Sequence, residues 1–186
     1  MIKIAKENNI PVEDCYIVTS DKTEAKSPYN FNDKVKIISG IFGVPEGNIV
    51  QDERPYNATK VLDKYNKDND IAVYFVGIDD VETRFSNFKP RKDGSPQFFQ
   101  PLKDYVQENK DSFIKRSYVV EIPDDTRKLD DVPENLNEYF SDGEISGTSV
   151  RNALKNVTSD LKKDLFIFLF GKYDKTLDKL ISSKLV

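Results

Sequence analysis

Hydrophobic positions along this chain follow two patterns: short unbroken apolar runs, and stretches with an apolar residue every third or fourth position. Runs of about four to eight apolar residues predict strands, and the longer spacing predicts helices with one buried face. Met1 to Asn9 reads as a helix, and Cys15 to Ser20, a β-branched and aromatic run ending in turn residues, as a strand. Asn32 to Phe42 has apolar residues at positions 35, 37, 38, 41 and 42. These form one helical face, and Gly43 supplies the residue that ends a helix in left-handed geometry. Ile49-Val50 predicts a short strand, and Ala58 to Tyr65 a helix with Val61, Leu62 and Tyr65 on one side. Ile71 to Val76 is continuously apolar, the pattern of a strand buried on both faces. Tyr118 to Ile122 predicts the last strand.

Helices alternating with strands in this order predict an α/β fold, a parallel sheet with crossover helices. The 186 residues are expected to form a single domain, 1–186, with residues 152–186 as its C-terminal helices. After Arg151 about three helices are expected, ending in a face of Leu177, Leu180 and Ile181. Phe88 to Pro101, rich in Pro, Lys, Gly and Gln, reads as a loop insertion. Residues 123–144, acidic and holding Pro123 and Pro133, read as an irregular excursion.

A net charge of −4 with the two signs interspersed argues against a nucleic-acid groove or a membrane-binding face. The single cysteine, Cys15, sits in an apolar pattern and reads as a small buried residue; one thiol forms no disulfide within the chain. The apolar run Leu165 to Phe170 is too short to cross a bilayer, and no secretory leader pattern is visible. These features lead to the expectation of a cytoplasmic protein.

Ile145-Ser146-Gly147-Thr148-Ser149-Val150-Arg151 carries the strongest chemical signal. It reads as a loop entering a helix, where unpaired backbone N–H groups and the positive end of the helix dipole favour an anion. Gly147 would let a phosphate approach the backbone, and the Ser146, Thr148 and Ser149 hydroxyls add donors. Helical side chains lean toward the N-terminus, so Arg151 can fold back over the same anion. The competing reading is an ordinary capped helix start that binds nothing. Two further turns follow apolar strands. In Gly77-Ile78-Asp79-Asp80 the aspartates either cap the next helix or accept from ribose hydroxyls. Thr19-Ser20-Asp21-Lys22 is either a solvated turn or a substrate contact. Lys34, a cation at a helix start where the dipole opposes it, is a further candidate contact. Arg84 reads as a surface pairing partner for an acidic neighbour, and Phe98-Phe99 as a core or interface anchor.

The ISGTSVR stretch resembles the I-S-S/G-T-x-I/V-R signature of the nucleotidylyltransferase superfamily, which includes cytidylyltransferases and the adenylyltransferases of nicotinamide mononucleotide and phosphopantetheine. Further matches follow in order: Ile17 to Lys22 resembles the end of the family's second strand, and Pro28, Phe31 and Lys34 its P-x-S-F-x-x-K helix opening. Val73 to Asp80, with Arg84-Phe85, resembles its V-G-x-D strand end. The resemblance spans about residues 1 to 170 and implies a Rossmann-like fold. The chain departs from the family at its start. Family members open with a strand and an H-x-G-H motif, whereas Met1 to Asn9 resembles the helix that follows that motif, and the chain has no histidine. The family's first strand and catalytic histidines are therefore expected to be missing, either because the true start lies upstream or the sequence is a fragment, or because this is a degenerate homologue that rebuilt its core.

The resemblance implies in-line attack by a small phosphorylated acceptor on the α-phosphate of ATP or CTP, releasing pyrophosphate, with Mg2+ held mainly by the triphosphate. Ser146, Gly147, Thr148, Ser149 and Arg151 would hold the β- and γ-phosphates, and Gly77 and Asp79 would seat the nucleoside. Thr19, Lys22 and Lys34 would be further substrate or phosphate contacts. It assigns no catalytic residue and no protein-held metal to this chain. The Val76 to Asp80 match leans toward adenylyl transfer onto nicotinamide mononucleotide or a similar phosphate. The alternative is a non-catalytic relative that binds nucleotide or a partner. The oligomeric state is left open.

Overall fold

The structure, a computed structural model, describes residues 2–7, 9–25, 27–85, 88–109, 111–122, 131–140 and 145–185. The chain is an α/β protein whose strands pair only in parallel among the described residues, the Rossmann-like arrangement expected of alternating helices and strands. It divides into two compact units: Met1–Cys15 with Ala58–Asp124, and Tyr16–Asn57 with Asp125–Val186.

In the first unit, helix α1 (Ile2–Glu7) precedes a 3-10 turn (Val12–Asp14) that Cys15 caps. Cys15 is buried as expected but lies just before the next strand, with its thiol on the Pro11 carbonyl, and burial raises its pKa. Helix α3 (Thr59–Leu62) is shorter than the expected 58–65, because Ala58 adopts left-handed geometry and the chain turns after Leu62. Strand β3 (Val73–Gly77) runs straight into α4 (Ile78–Phe85). Only Val76 of β3 is buried, so the expectation of a strand covered on both faces is corrected: β3 forms the edge of its sheet. Strand β4 (Phe99–Pro101) lies in the stretch expected to be loop, and β5 (Ser117–Ile122) runs between β3 and β4. Val73 is opposite Tyr118 in that sheet, and Phe99 is opposite Ser117. Pro101 is tolerated because β4 is the other edge, where a missing N–H breaks no ladder.

In the second unit, β1 (Ile17–Thr19), α2 (Phe31–Phe42) and β2 (Ile49–Gln51) make a βαβ crossover, with Ile17 opposite Ile49. Gly43 ends α2 at φ 67°, its N–H bonded to the Ser39 carbonyl, as its sequence position predicts. Of the expected irregular excursion, residues 123–130 and 141–144 lie outside the described residues. Glu134–Tyr139 forms a 3-10 helix whose Leu136 is fully buried. The helix that holds Arg151 is α5 (Gly147–Asn156), and α6 (Lys162–Phe170) and α7 (Lys175–Ser182) follow it, so two helices rather than about three come after. Their apolar faces share one core, including Phe140, Ala153, Leu165, Phe166, Leu177 and Ile181. Asp178 is buried within this region and satisfied by the Tyr173 and Ser182 hydroxyls and by Lys162 at 3.3 Å.

Gly40 lets α2 lie close against α7: a Cβ built there would come within 2.7 Å of Leu177 Cδ1 and 3.1 Å of its Cδ2. Alanine gains about 1 kcal/mol of helix propensity, but overpacking a filled core costs about 1–3 kcal/mol. Gly40→Ala should therefore lower the urea midpoint. A raised midpoint would contradict this close approach of α2 and α7.

Candidate phosphate site at the start of α5

Helix α5 opens on a reciprocal cap. Ser146 Oγ accepts from the Ser149 N–H at 3.2 Å, and Ser149 Oγ accepts from the Ser146 N–H at 2.8 Å. The Ser149 hydroxyl also donates to the Ser146 carbonyl at 3.0 Å, and Ser146 Oγ lies 3.3 Å from it. Ser149 is buried, so these two hydroxyls, expected to face an anion, are turned onto each other. The first intrahelical bond runs from the Val150 N–H to the Ser146 carbonyl. That leaves the N–H groups of Gly147 and Thr148 at the exposed tip of the helix, with no partner among the described residues.

Arg151 folds back over this tip. One guanidinium nitrogen donates to Thr148 Oγ1 at 3.1 Å, and the other would lie 3.5 Å from a Cβ built on Gly147. This follows from the lean of helical side chains toward the N-terminus. Asp142 and Glu144, the acidic neighbours that would pair Arg151 in a purely structural role, lie outside the described residues.

Tyr29, which the sequence reading did not single out, is the third group here. Its ring packs against the shared core, and its hydroxyl donates to the Ile181 carbonyl at 3.4 Å. Burial raises its pKa above the usual 10.0, the Arg151 charge opposes that rise, and Asp33 adds to it. No local pattern marks Tyr29, because two of the groups that act on it, Arg151 and Ile181, lie more than a hundred positions further along the chain.

The turn after β1 is closed by the chain itself. Lys34 Nζ donates to the Ser20 carbonyl at 2.6 Å and to the Lys22 carbonyl at 3.2 Å, which answers why a lysine sits in the first turn of α2. Asp21 accepts the Phe31 N–H at 2.5 Å, and Asn30 accepts the Asp33 N–H at 2.9 Å. Thr19 ends β1 with its carbonyl on the Asp52 N–H, and the Lys22 side chain is exposed. The start of α2 is thus capped twice by side chains, whereas the tip of α5 presents two amides and a cation.

Gly77 and Asp79 belong to the first unit. Gly77 has no positive φ, so the turn itself does not require glycine; a Cβ there would meet nothing within 4 Å. Asp79 lies in the first turn of α4, and its side chain is outside the described ones. Arg84 pairs with Asp80 one turn away at 2.6 Å, the surface role its spacing predicts. Among the described residues no three His, Cys, Asp or Glu side chains are grouped to hold a metal ion, and no helix is long and apolar enough to cross a membrane.

Comparisons with protein-family models, with curated proteins and with solved structures give no match for this chain.

Two outcomes test this geometry without any ligand. Ser146→Ala should cost about 1 kcal/mol of stability through the lost cap, read as a lower thermal midpoint; an unchanged midpoint would contradict the reciprocal cap. Arg151→Ala should move the Tyr29 pKa further up, because it removes the charge that opposes the rise, and NMR titration of labelled tyrosine reads this directly. An unchanged Tyr29 titration would separate the two side chains. By the same sign, the Tyr29 contribution to stability is complete below pH 10.0 and is lost as the pH rises through its higher folded pKa.

Proposed function

We propose that this chain is a nucleotidylyltransferase-like protein that holds the β- and γ-phosphates of a nucleoside triphosphate at the start of α5. The observation that supports this reading is a guanidinium folded over two amides, those of Gly147 and Thr148, that have no partner among the described residues. Backbone N–H groups and the helix dipole attract the phosphate oxygens, and Arg151 contributes charge-assisted bonds. Ser146 and Ser149 act by shaping the helix start, and Thr148 by orienting Arg151. Lys34 acts by holding the β1–α2 turn, with Thr19 at its entry and the Lys22 ammonium available to a phosphate. The resemblance assigns the nucleoside to Gly77 and Asp79, which belong to the first unit.

The triphosphate is ATP or CTP, and the other substrate is a small phosphorylated acceptor. The residue pattern after β3 favours ATP with nicotinamide mononucleotide or a similar phosphate. Mg2+ would be carried mainly by the triphosphate, as the resemblance implies. The reading places the protein in the cytoplasm. The lack of histidine in these 186 residues favours a second reading for this form of the chain, a non-catalytic relative that binds nucleotide or a partner, because the family's transfer step depends on its H-x-G-H histidines.

Calorimetric titration with ATP, CTP and the bare nucleosides tests the phosphate site. Arg151→Ala should weaken triphosphate binding about tenfold to a hundredfold, the equivalent of roughly 1.5–3 kcal/mol, and leave nucleoside binding nearly unchanged. Arg151→Lys should restore part of the loss, because it keeps the charge without the planar fork. Equal triphosphate affinity in folded Arg151→Ala would overturn the proposal.

A further inference from the structure

The stretch that enters β4 holds the densest positive charge in the sequence. Lys89, Arg91 and Lys92 are three cations within four residues, a density no other four-residue window reaches, and all three are exposed. None of them forms an ion pair with a described residue.

The turn that carries them is closed by its own bonds. The Arg91 N–H donates to the Ser95 carbonyl at 2.9 Å and the Gly94 N–H to the Arg91 carbonyl at 2.9 Å, with Gly94 at φ 80°. Arg91 and Ser95 therefore stand opposite each other across the turn. Asp93 Oδ1 accepts from the Ser95 hydroxyl at 2.6 Å and from the Ser95 N–H at 2.9 Å. These two bonds, with a smaller push from the Arg91 charge, hold the Asp93 carboxyl below its usual range. Ser95 is followed by Pro96, which is exposed, and a residue before proline is held extended. The hydroxyl thus sits at the exit of a fixed turn, on extended backbone, with three cations beside it.

A seryl hydroxyl followed by proline is the acceptor chemistry of proline-directed protein kinases, and this turn adds a receptor for the product. We propose that Ser95 is a phosphorylation site whose phosphate is held by the cations of its own turn. In the transfer, Ser95 Oγ attacks the γ-phosphorus of kinase-bound ATP, its proton passes to the kinase's base, and ADP leaves with the electrons of the broken P–O bond. The ester oxygen no longer donates to Asp93, and a phosphate charge of about −1.5 to −2 repels that carboxylate. Arg91 offers a fork of N–H donors from across the turn, and Lys89 and Lys92 add charge. A turn with three cations and one carboxylate becomes nearly neutral, so modification switches off the positive patch. The turn belongs to the first unit, and the inference is independent of the phosphate reading for α5.

Incubation of the 186-residue chain with ATP and a proline-directed protein kinase, followed by peptide mapping, tests the acceptor. A single phosphate should appear, on Ser95. Ser95→Ala should abolish it, and Ser27→Ala, at the other Ser-Pro pair of the sequence, should leave it unchanged. Phosphorus NMR titration of the phosphorylated chain tests the clamp. The second phosphate pKa should fall below its ordinary value of about 6, because nearby cations favour the dianion, and Arg91→Gln should return it toward that value. No incorporation, a phosphate on Ser27 instead, or a second pKa that Arg91→Gln does not move would overturn the proposal. If Ser95→Ala loses its fold, mapping of the unsubstituted chain decides the acceptor.

Discussion

The reciprocal bond between Ser146 and Ser149 is the constraint from which the geometry of the second unit's helix tip follows. A helix start must find partners for its first N–H groups, and here one buried serine takes the cap's N–H while the cap takes the serine's. Both hydroxyls are consumed, so neither is left to solvate an anion. The consequence is an exposed tip whose binding capacity lies in backbone amides and in one arginine. A phosphate there would meet fixed dipoles that need no rearrangement. Serine side chains pointing outward would first have to be ordered.

The same tip rests on the shared core. Val150, Ile145 and Tyr29 each pack on the cluster formed mainly by α5, α6, α7 and the 3-10 helix at Glu134–Tyr139. Tyr29 links this cluster to the first turn of α2 through its bond to Ile181 and its proximity to Arg151 and Asp33. Asp33 is itself buried, with Lys184 at 3.5 Å across the α2–α7 contact. Lys34, one residue on, holds the turn after β1. A single turn of α2 therefore carries cap, core and loop contacts together, and a change there affects stability and the tip of α5 jointly. Arg151 stays partly exposed, so salt will screen its charge more than it weakens the two amides.

Much of this was legible in the sequence, for local reasons. Helix α2 announces itself by five apolar positions on one face and by Gly43, and β1 and β2 by β-branched residues between turns. The start of α5 at Gly147 and the fold-back of Arg151 follow from side-chain chemistry within a single turn. What was not legible depends on partners distant in sequence. Strand β4 has three residues, one of them proline, and exists only because β5 pairs with it. The apolar run of β3 suggests burial on both faces, but its edge position leaves it half-covered. Helix α3 starts late because Ala58 is left-handed, a conformation no propensity favours for alanine, and ends early because the chain turns after Leu62. A capped helix start and an anion site share the same small polar residues at the start of α5, so the sequence does not separate them, and the reciprocal role of Ser149 shows only in the folded geometry.

The central claim is that the tip of α5 binds phosphate through the Gly147 and Thr148 amides under Arg151. Amide NMR during titration with ATP, with adenosine as the control, tests it most directly. The account predicts that the Gly147 and Thr148 N–H signals move downfield and saturate with ATP, together with the Arg151 side-chain signals, while adenosine leaves all three in place. ATP binding that leaves these amides unmoved, or shifts of equal size with adenosine, would contradict it.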